Sequence, residues 1–290
     1  MARWRELGRH IQALEDIGTI LSAMRSLAFI EARRIAEGAA RQQEAVSAIR
    51  VAIDNVVAHY PGARPGVMPS RDVVVLVGSE RGLCGDFDER IASRLDATGR
   101  SGTVACIAVG SRLGQVLDER GVPHLSVAGA AVNEDIPGVM SDIVASIQAS
   151  ARRDHEATAG LVVVHHDAQG EVNRERILPV PAAPASRCWP HRPLLQLPAR
   201  DLHRILIDHY VFASLNALLL ASLLAENRRR LDQMSAALDR LHERVGVLDR
   251  GRRRARQEAI TEEIEIILLG QGAAVAGNRA PVPNVVRRAP

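Results

Sequence analysis

The chain has 290 residues and is 47% hydrophobic, enough for one large domain or two ordinary ones with real cores. Two Trp, two Tyr and three Phe make only 2% of it aromatic, fewer rings than a compact enzyme uses for its core and pocket, whereas helical rods pack on Leu, Ile, Val and Ala. The 37 basic residues, all of them Arg, stand against 34 acidic ones, and a net charge of +3 is by itself too weak to argue for nucleic acid.

The N-terminus, MARWRELGRHIQALEDIG, is charged throughout and has no apolar signal region. From Ala2 to Tyr60 there is no proline. Apolar or small residues recur at spacings of three and four: Leu7, Ile11, Leu14, Gly18, Leu21, Arg25, Ala28, Ala32, Ile35, Ala39, Gln42, Val46, Ile49, Ile53 and Val56. That is a coiled-coil seam with exceptions at Gly18, Arg25 and Gln42, and it predicts a helix over 1–60, roughly 80 Å long. Tyr60-Pro61-Gly62 ends it, because proline breaks the hydrogen-bond ladder.

Residues 70–180 follow a different pattern. Strand candidates Val73–Val77, Thr103–Val109 and Leu161–Val164 alternate with helical stretches near Asp86–Leu95, Arg112–Glu119 and Gly138–Arg153. This predicts a Rossmann-like α/β domain with a parallel sheet and crossover helices, to which Glu171–Val180 adds an edge strand. The proline-dense stretch Pro179–Pro184 then leads to a second helix over 199–270, with the seam His203, Leu206, Tyr210, Ala213, Ala217, Leu220, Leu224, Asn227, Leu231, Met234, Leu238, Leu241, Val245 and Leu248. At about 100 Å it is too long for a small globule to hide. The two terminal helices are expected to bury their seams against each other as a long antiparallel coiled coil.

After Leu248 the seam positions fall on Arg252, Ala255, Ala259 and Glu262, so this helix is expected to leave its partner there. Ile260, Ile264, Ile267 and Leu268 then form a fresh apolar stripe that something else must cover. Residues 271–290 read as a flexible tail. The run Val211–Ala225 is the nearest approach to a membrane span, but Ser214, Asn216 and Ser222 interrupt it and it is too short.

The candidate sites are thin. VVVLVGSERGLCGDFDER (73–90) is a strand, a glycine-rich turn and a helix start, an arrangement that can hold phosphate on backbone N–H groups. The spacing Gly78, Gly82, Gly85 is not the dinucleotide fingerprint, however, and a P-loop needs a lysine that this chain lacks. Asp86, Asp88 and Glu89 would also repel a phosphate. Cys84 has no histidine near it in sequence to act as a base, and reads as a buried small residue. The three cysteines lack the paired spacing of a metal site or disulfide framework, which fits a reducing compartment. His165-His166-Asp167 reads as a solvated strand end, since neighbouring strand residues face opposite ways. Arg228–Arg230 and Arg252–Arg254 with Arg256 read as solvated helix faces, without interleaved aromatics for bases.

Several runs carry a resemblance to the gamma subunit of F-type ATP synthases over nearly the whole chain. The family's S-D-R-G-L-C-G-G-F-N is similar to Ser79–Asp88, and its A-R-Q-x-A-I-T-x-E-x-x-E-I to Ala255–Ile266, with the final Glu-Ile one place early. S-E-x-x-A-R-M-x-A-M resembles Ala225–Met234, and I-T-K-A-M-x-M-V-A is loosely met by Ile20–Ala28. The A-T-x-N-A that follows in the family is replaced by Ala236–Arg240, a divergence resembling the alternate, sodium-type enzymes.

The resemblance implies a non-catalytic rotor shaft without cofactor or metal. Its partners would be a hexamer of alpha and beta subunits, an epsilon subunit and the membrane c ring, placing it peripherally on the cytoplasmic face of a bacterial inner membrane. It implies partner-facing roles for Met24, Arg230, Met234, Arg254, Arg256, Gln257, Thr261 and Glu263. A free-standing coiled-coil scaffold or regulatory protein is the competing class, and an enzyme comes third.

Overall fold

The computed structural model describes residues 3–63, 71–98, 103–153, 160–181 and 189–277. In chain order the elements are α1 (Arg3–His59), β1 (Asp72–Val77), α2 (Phe87–Thr98), β2 (Thr103–Val109), α3 (Ser111–Glu119), β3 (Leu125–Val127), α4 (Ile136–Arg153), β4 (Gly160–His166), β5 (Val172–Leu178) and α5 (Ala199–Gly277). The chain divides into two compact units, residues 23–235 and residues 1–22 with 236–290, and α1 and α5 contribute to both.

In the 23–235 unit a five-stranded sheet runs in the order β3-β2-β1-β4-β5. The first four strands are parallel and β5 is antiparallel to β4, so the sheet is mixed rather than parallel throughout. Strand β1 is apolar on both faces because both are covered. Val73, Val75 and Val77 pack with Ile35, Ile53, Ile143, Leu215 and Leu219, and so face α1, α4 and α5. Val74 and Leu76 turn the other way, onto Ile91, Leu95, Leu113 and Leu117 of α2 and α3. The edge strand β5 keeps Arg174, Glu175 and Arg176 exposed, charges that discourage a further strand from pairing. Arg176 closes the sheet's corner on Asp72, with N–O distances of 2.8 and 2.6 Å.

By length and composition alone α5 contains one window apolar enough to cross a bilayer. That corrects the reading that the run is too short and too interrupted. Leu215, Leu218–Leu220, Leu223 and Leu224 nevertheless lie in the core with the sheet residues, which accounts for their apolarity. Of the interrupting residues, Ser222 donates to the carbonyl of Val77 at 3.4 Å.

In the terminal unit α1 and α5 run antiparallel. A Cβ on Gly18 would lie 3.4 Å from Leu241, and one on Gly8 would lie 3.9 Å from the Arg252 side chain. Glycine at a seam position therefore lets the two helices approach. The seam also continues past Leu248, contrary to expectation: Arg252, Ala255 and Ala259 remain half-buried, and exposure becomes continuous only from Ile260. Arginine's long aliphatic stem is what allows a seam position to be covered without an apolar side chain. Helix α5 also runs to Gly277, beyond the expected boundary at 270; the rest of the expected tail lies outside the described residues.

Candidate functional site

The turn after β1 is held by its own acids. Asp88, in the first turn of α2, accepts from the N–H of Ser79 at 2.8 Å and from its hydroxyl at 2.6 Å. Burial keeps that carboxyl above its usual range, against the pull of these two bonds. Glu80 accepts from Ser111 N–H at 2.9 Å, Ser111 Oγ at 2.7 Å and Gly129 N–H at 2.7 Å. Burial works to raise Glu80, but these donors together outweigh it and its carboxyl lies below the ordinary range. A Cβ on Gly78 would sit 2.4 Å from Leu113 Cβ, so this glycine is required by close packing. Leu83 and Gly85 take left-handed conformations, with φ of 69° and 65°. The glycine-rich stretch is thus a turn fastened to α2, α3 and the 129 loop, with the carboxylates of Glu80 and Asp88 already committed.

Cys84 lies beneath that turn, its thiol 3.5 Å from the carbonyls of Arg81 and Gly82. Burial first, and then the nearby charge of Glu226, push the thiol up to about 12. A thiol so reluctant to ionise is no nucleophile at neutral pH.

The arginine run 228–230 is only in part a solvated face: Arg228 is exposed and Arg229 half-buried, but Arg230 is buried. Arg230 is 7% exposed and ion-paired with Glu226 one helical turn earlier, and it donates to Asn227 Oδ1 at 3.0 Å. Arg229 pairs with Asp86, and that hydrogen bond is the chief cause holding Asp86 below its usual range. Arg228 donates to the carbonyl of Ala168. Burial raises Glu226 to about 7 in spite of its arginine. The charges of helix and turn are complementary: α5 brings arginines to a turn rich in acids.

His165 and His166 are likewise buried, not solvated. Their rings do turn apart, as an extended chain requires: His165 Nε2 lies 4.0 Å from Glu175 on β5, while His166 stacks on Phe87 at 3.8 Å. Burial lowers the affinity of His165 for a proton. Among the described residues, no group of three or more His, Cys, Asp and Glu side chains could hold a metal ion.

Above this cluster, still within the 23–235 unit, α1 and α5 bound an apolar groove of about 390 Å³. Met24, Leu27 and Ile30 form one wall, Leu83 and Val132 lie along another, and Arg230 and Met234 line it from α5. Met24, expected to face a partner, is exposed here, but Met234 is only 1% exposed. Arg230 and Met234 therefore shape the groove and leave most of the outer surface to α1, whose Leu27 and Ile30 are 66% and 62% exposed.

In the terminal unit, Arg254, Gln257 and Thr261 line one open face of α5 together with Glu258, Glu262 and Glu265. The spacings of three and four place them there. Thr261 spends its hydroxyl on the Gln257 carbonyl at 3.0 Å. Arg256 is set apart from them: its guanidinium lies over Trp4 of α1, 5.9 Å from the ring centroid, at the outer limit of a cation–π contact. Glu263, two turns further along, falls on the Arg256 side. Arg252 and Arg253 pair with Asp249. Ile260, Ile264, Ile266, Ile267 and Leu268 are all about half exposed or more.

Sequence reasoning missed Glu226, Gln233 beneath Gly85, and Trp4. Only Glu226 left a signal, the four-residue spacing to Arg230; the other two act on residues far away in the chain.

A family model for ATP synthase matches residues 3–274. The ATP synthase gamma chain of Polynucleobacter necessarius subsp. necessarius is 23% identical, the alignment covering 94% of this chain and all of the relative. That of Desulforamulus reducens is 25% identical over 94% of this chain and 99% of its own. Among solved structures, a chain of the Euglena gracilis mitochondrial ATP synthase OSCP/F1/c-ring assembly superposes with a TM-score of 0.62 at 13% identity, covering 99% of both chains. A chain of the rotor of the same enzyme gives 0.59 at 12% identity, over 89% of this chain and 99% of that one. At such identities the structural likeness speaks for the fold.

Proposed function

This chain belongs to the ATP synthase gamma family, and we propose on that premise that it is the non-catalytic central rotor shaft of an F-type ATP synthase. Its terminal unit turns inside a hexamer of alternating alpha and beta subunits that carry the catalytic sites. Its α/β part meets the membrane c ring and an epsilon-type subunit, so the chain is peripheral to the membrane through partners, on the cytoplasmic face of a bacterial inner membrane. It needs no cofactor and no nucleic acid.

The observation that carries this reading is the end of α5. Residues 260–268 expose a run of isoleucine and leucine on a helix whose seam has just ended, and such a surface in water calls for an outside cover. A collar that lets a shaft turn has to be apolar and non-directional. Contacts by Arg254, Gln257, Thr261 and Glu263 are directional and become strong only at certain angles, while Arg256, resting on Trp4, links that face to α1. An asymmetric rod then biases which catalytic interface is open at each angle, and torque requires packing and charge, not bond chemistry.

Co-expression with the alpha and beta subunits of the same organism tests this. The expected result is co-elution as one assembly and ATP hydrolysis that depends on the chain. A monodisperse free chain beside an assembled, equally active alpha/beta complex would refute it.

A further inference from the structure

Beneath the turn that follows β1 the fold encloses two acids and one arginine: Glu226 and Arg230 of α5, and Asp88 of α2, are all buried. Glu226 receives Arg230 from one helical turn along, the backbone N–H of Arg81 from the turn, and has the Cys84 thiol at 4.0 Å. Asp88 takes both donors of Ser79 and faces Glu89 and His166. Two carboxylates against one guanidinium leave an excess of buried negative charge, which a proton on Glu226 relieves. Burial is the chief cause that brings Glu226 to about 7, and the charge of Asp88 adds to it against the pull of Arg230. Arg230 is in turn the tie between helix and turn. Its Nε lies 3.5 Å from the carbonyl of Gly82 and its Nη2 3.6 Å from the Cys84 sulfur. Leu83, between those two residues, has a φ of 69°, a conformation that leucine keeps only where its surroundings impose it.

We propose that Glu226 is a proton-operated latch on this turn: ionised, it holds Arg230 across Gly82 and Cys84, and protonated, it lets the guanidinium go, so that the turn lifts from α5. A neutral Glu226 leaves Arg230 as a buried cation without a counter-charge, which costs more than the same cation in water. Arg230 lines an open groove and has a short way to solvent. Once it has turned outward, the Cys84 sulfur loses the group that covers it and the left-handed Leu83 loses the tie beside it. The exposed Arg81 side chain is already in water and is no substitute for Arg230. All the groups of the latch belong to the 23–235 unit, so it does not depend on whether the chain turns inside a hexamer.

Cys84 reports on the latch. In the full chain with Cys106→Ala and Cys188→Ala, the rate at which 4,4′-dithiodipyridine labels native Cys84 is divided by the rate in urea at the same pH, which cancels the titration of an exposed thiol. This ratio is expected to rise about tenfold as pH falls from 8.5 to 6, the size of one charge-assisted hydrogen bond. Global unfolding has the opposite sign, because the penalty of burying an ionised Glu226 fades as pH falls and the folded chain gains stability. Glu226→Gln, neutral at every pH, should label at the faster rate throughout and lose the pH dependence. Asp88→Asn removes a charge that raises Glu226 and should move the midpoint to lower pH; it decides the matter if Glu226→Gln fails to fold by circular dichroism. A ratio that stays flat or falls as pH drops, a Glu226→Gln chain with the parent's pH dependence, or an Asp88→Asn midpoint that stays or rises would each overturn the proposal.

Discussion

Replacing Arg230 with methionine keeps most of the volume of the side chain and removes the cation that Glu226 faces across one helical turn. Glu226 titrates near 7 in the folded chain against an ordinary 4.5, chiefly because it is buried, and Arg230 is what holds it from rising further. A raised carboxylate pKa means that the folded state binds the proton more strongly. The resulting penalty on stability is therefore absent below about 4.5, grows as pH rises to about 7, and is constant above, where it amounts to about 3 kcal/mol. Without Arg230 the folded pKa moves higher and the penalty keeps growing above pH 7. At pH 8.5 the variant must either bury an unpaired carboxylate or hold a proton against the solution, and the loss is expected to be about 3–5 kcal/mol. At pH 6 Glu226 takes up a proton and the loss shrinks to about 1 kcal/mol. Urea unfolding followed by fluorescence measures this: with Trp4→Phe in the background, only Trp189 reports, and its backbone N–H donates to Asn55 Oδ1 within the same unit as Arg230. Arg230→Met with Glu226→Leu should recover most of the loss at pH 8.5, because the uncompensated charge is gone. An equal loss at both pH values, or a double variant no more stable than the single one, would refute the charge-burial argument.

Leu238 is 4% exposed on the α5 seam, so Leu238→Ala should cost about 2–5 kcal/mol in thermal or urea unfolding, and a near-zero loss would remove it from the interface. Cys84, with its thiol pushed up to about 12, should resist iodoacetamide at pH 8 in the folded chain and react only after unfolding; rapid labelling of the native chain would contradict its burial. Ile264→Ser with Ile267→Ser, both at exposed positions, should leave the free chain within about 0.5 kcal/mol of the parent while lowering ATP turnover of the reconstituted assembly. A destabilised free chain with unchanged turnover would place the stripe in this chain's own core. Arg256→Ala with Gln257→Ala should likewise lower coupled turnover, with a cost to the free chain of no more than about 1 kcal/mol from the lost Trp4 contact.

The seams of α1 and α5 were legible because one-dimensional period and three-dimensional burial are the same fact on a helix: a residue every three or four positions returns to one face. Of the α1 seam positions only Arg25 is exposed, and Gly18 fits because its partner Leu241 comes close. The strands β1, β2 and β4 were legible for a similar reason, since a sheet covered on both faces needs unbroken apolar runs. Strand β3 was missed: Leu125–Val127 is too short for any period to register. The direction of β5 depends on which neighbour it pairs with, and that is a property of the assembled sheet.

The chemistry-bearing positions divide along the same line. That Cys84 is a buried small residue followed from composition and spacing. That His165 and His166 are buried, that Arg228–Arg230 serve Ala168, Asp86 and Glu226, and that Arg256 rests on Trp4 did not follow. Each of these, except the Glu226 pair, joins residues far apart in the chain. Local periodicity fixes the face on which a residue lies, but the identity of what covers that face comes from packing across the chain.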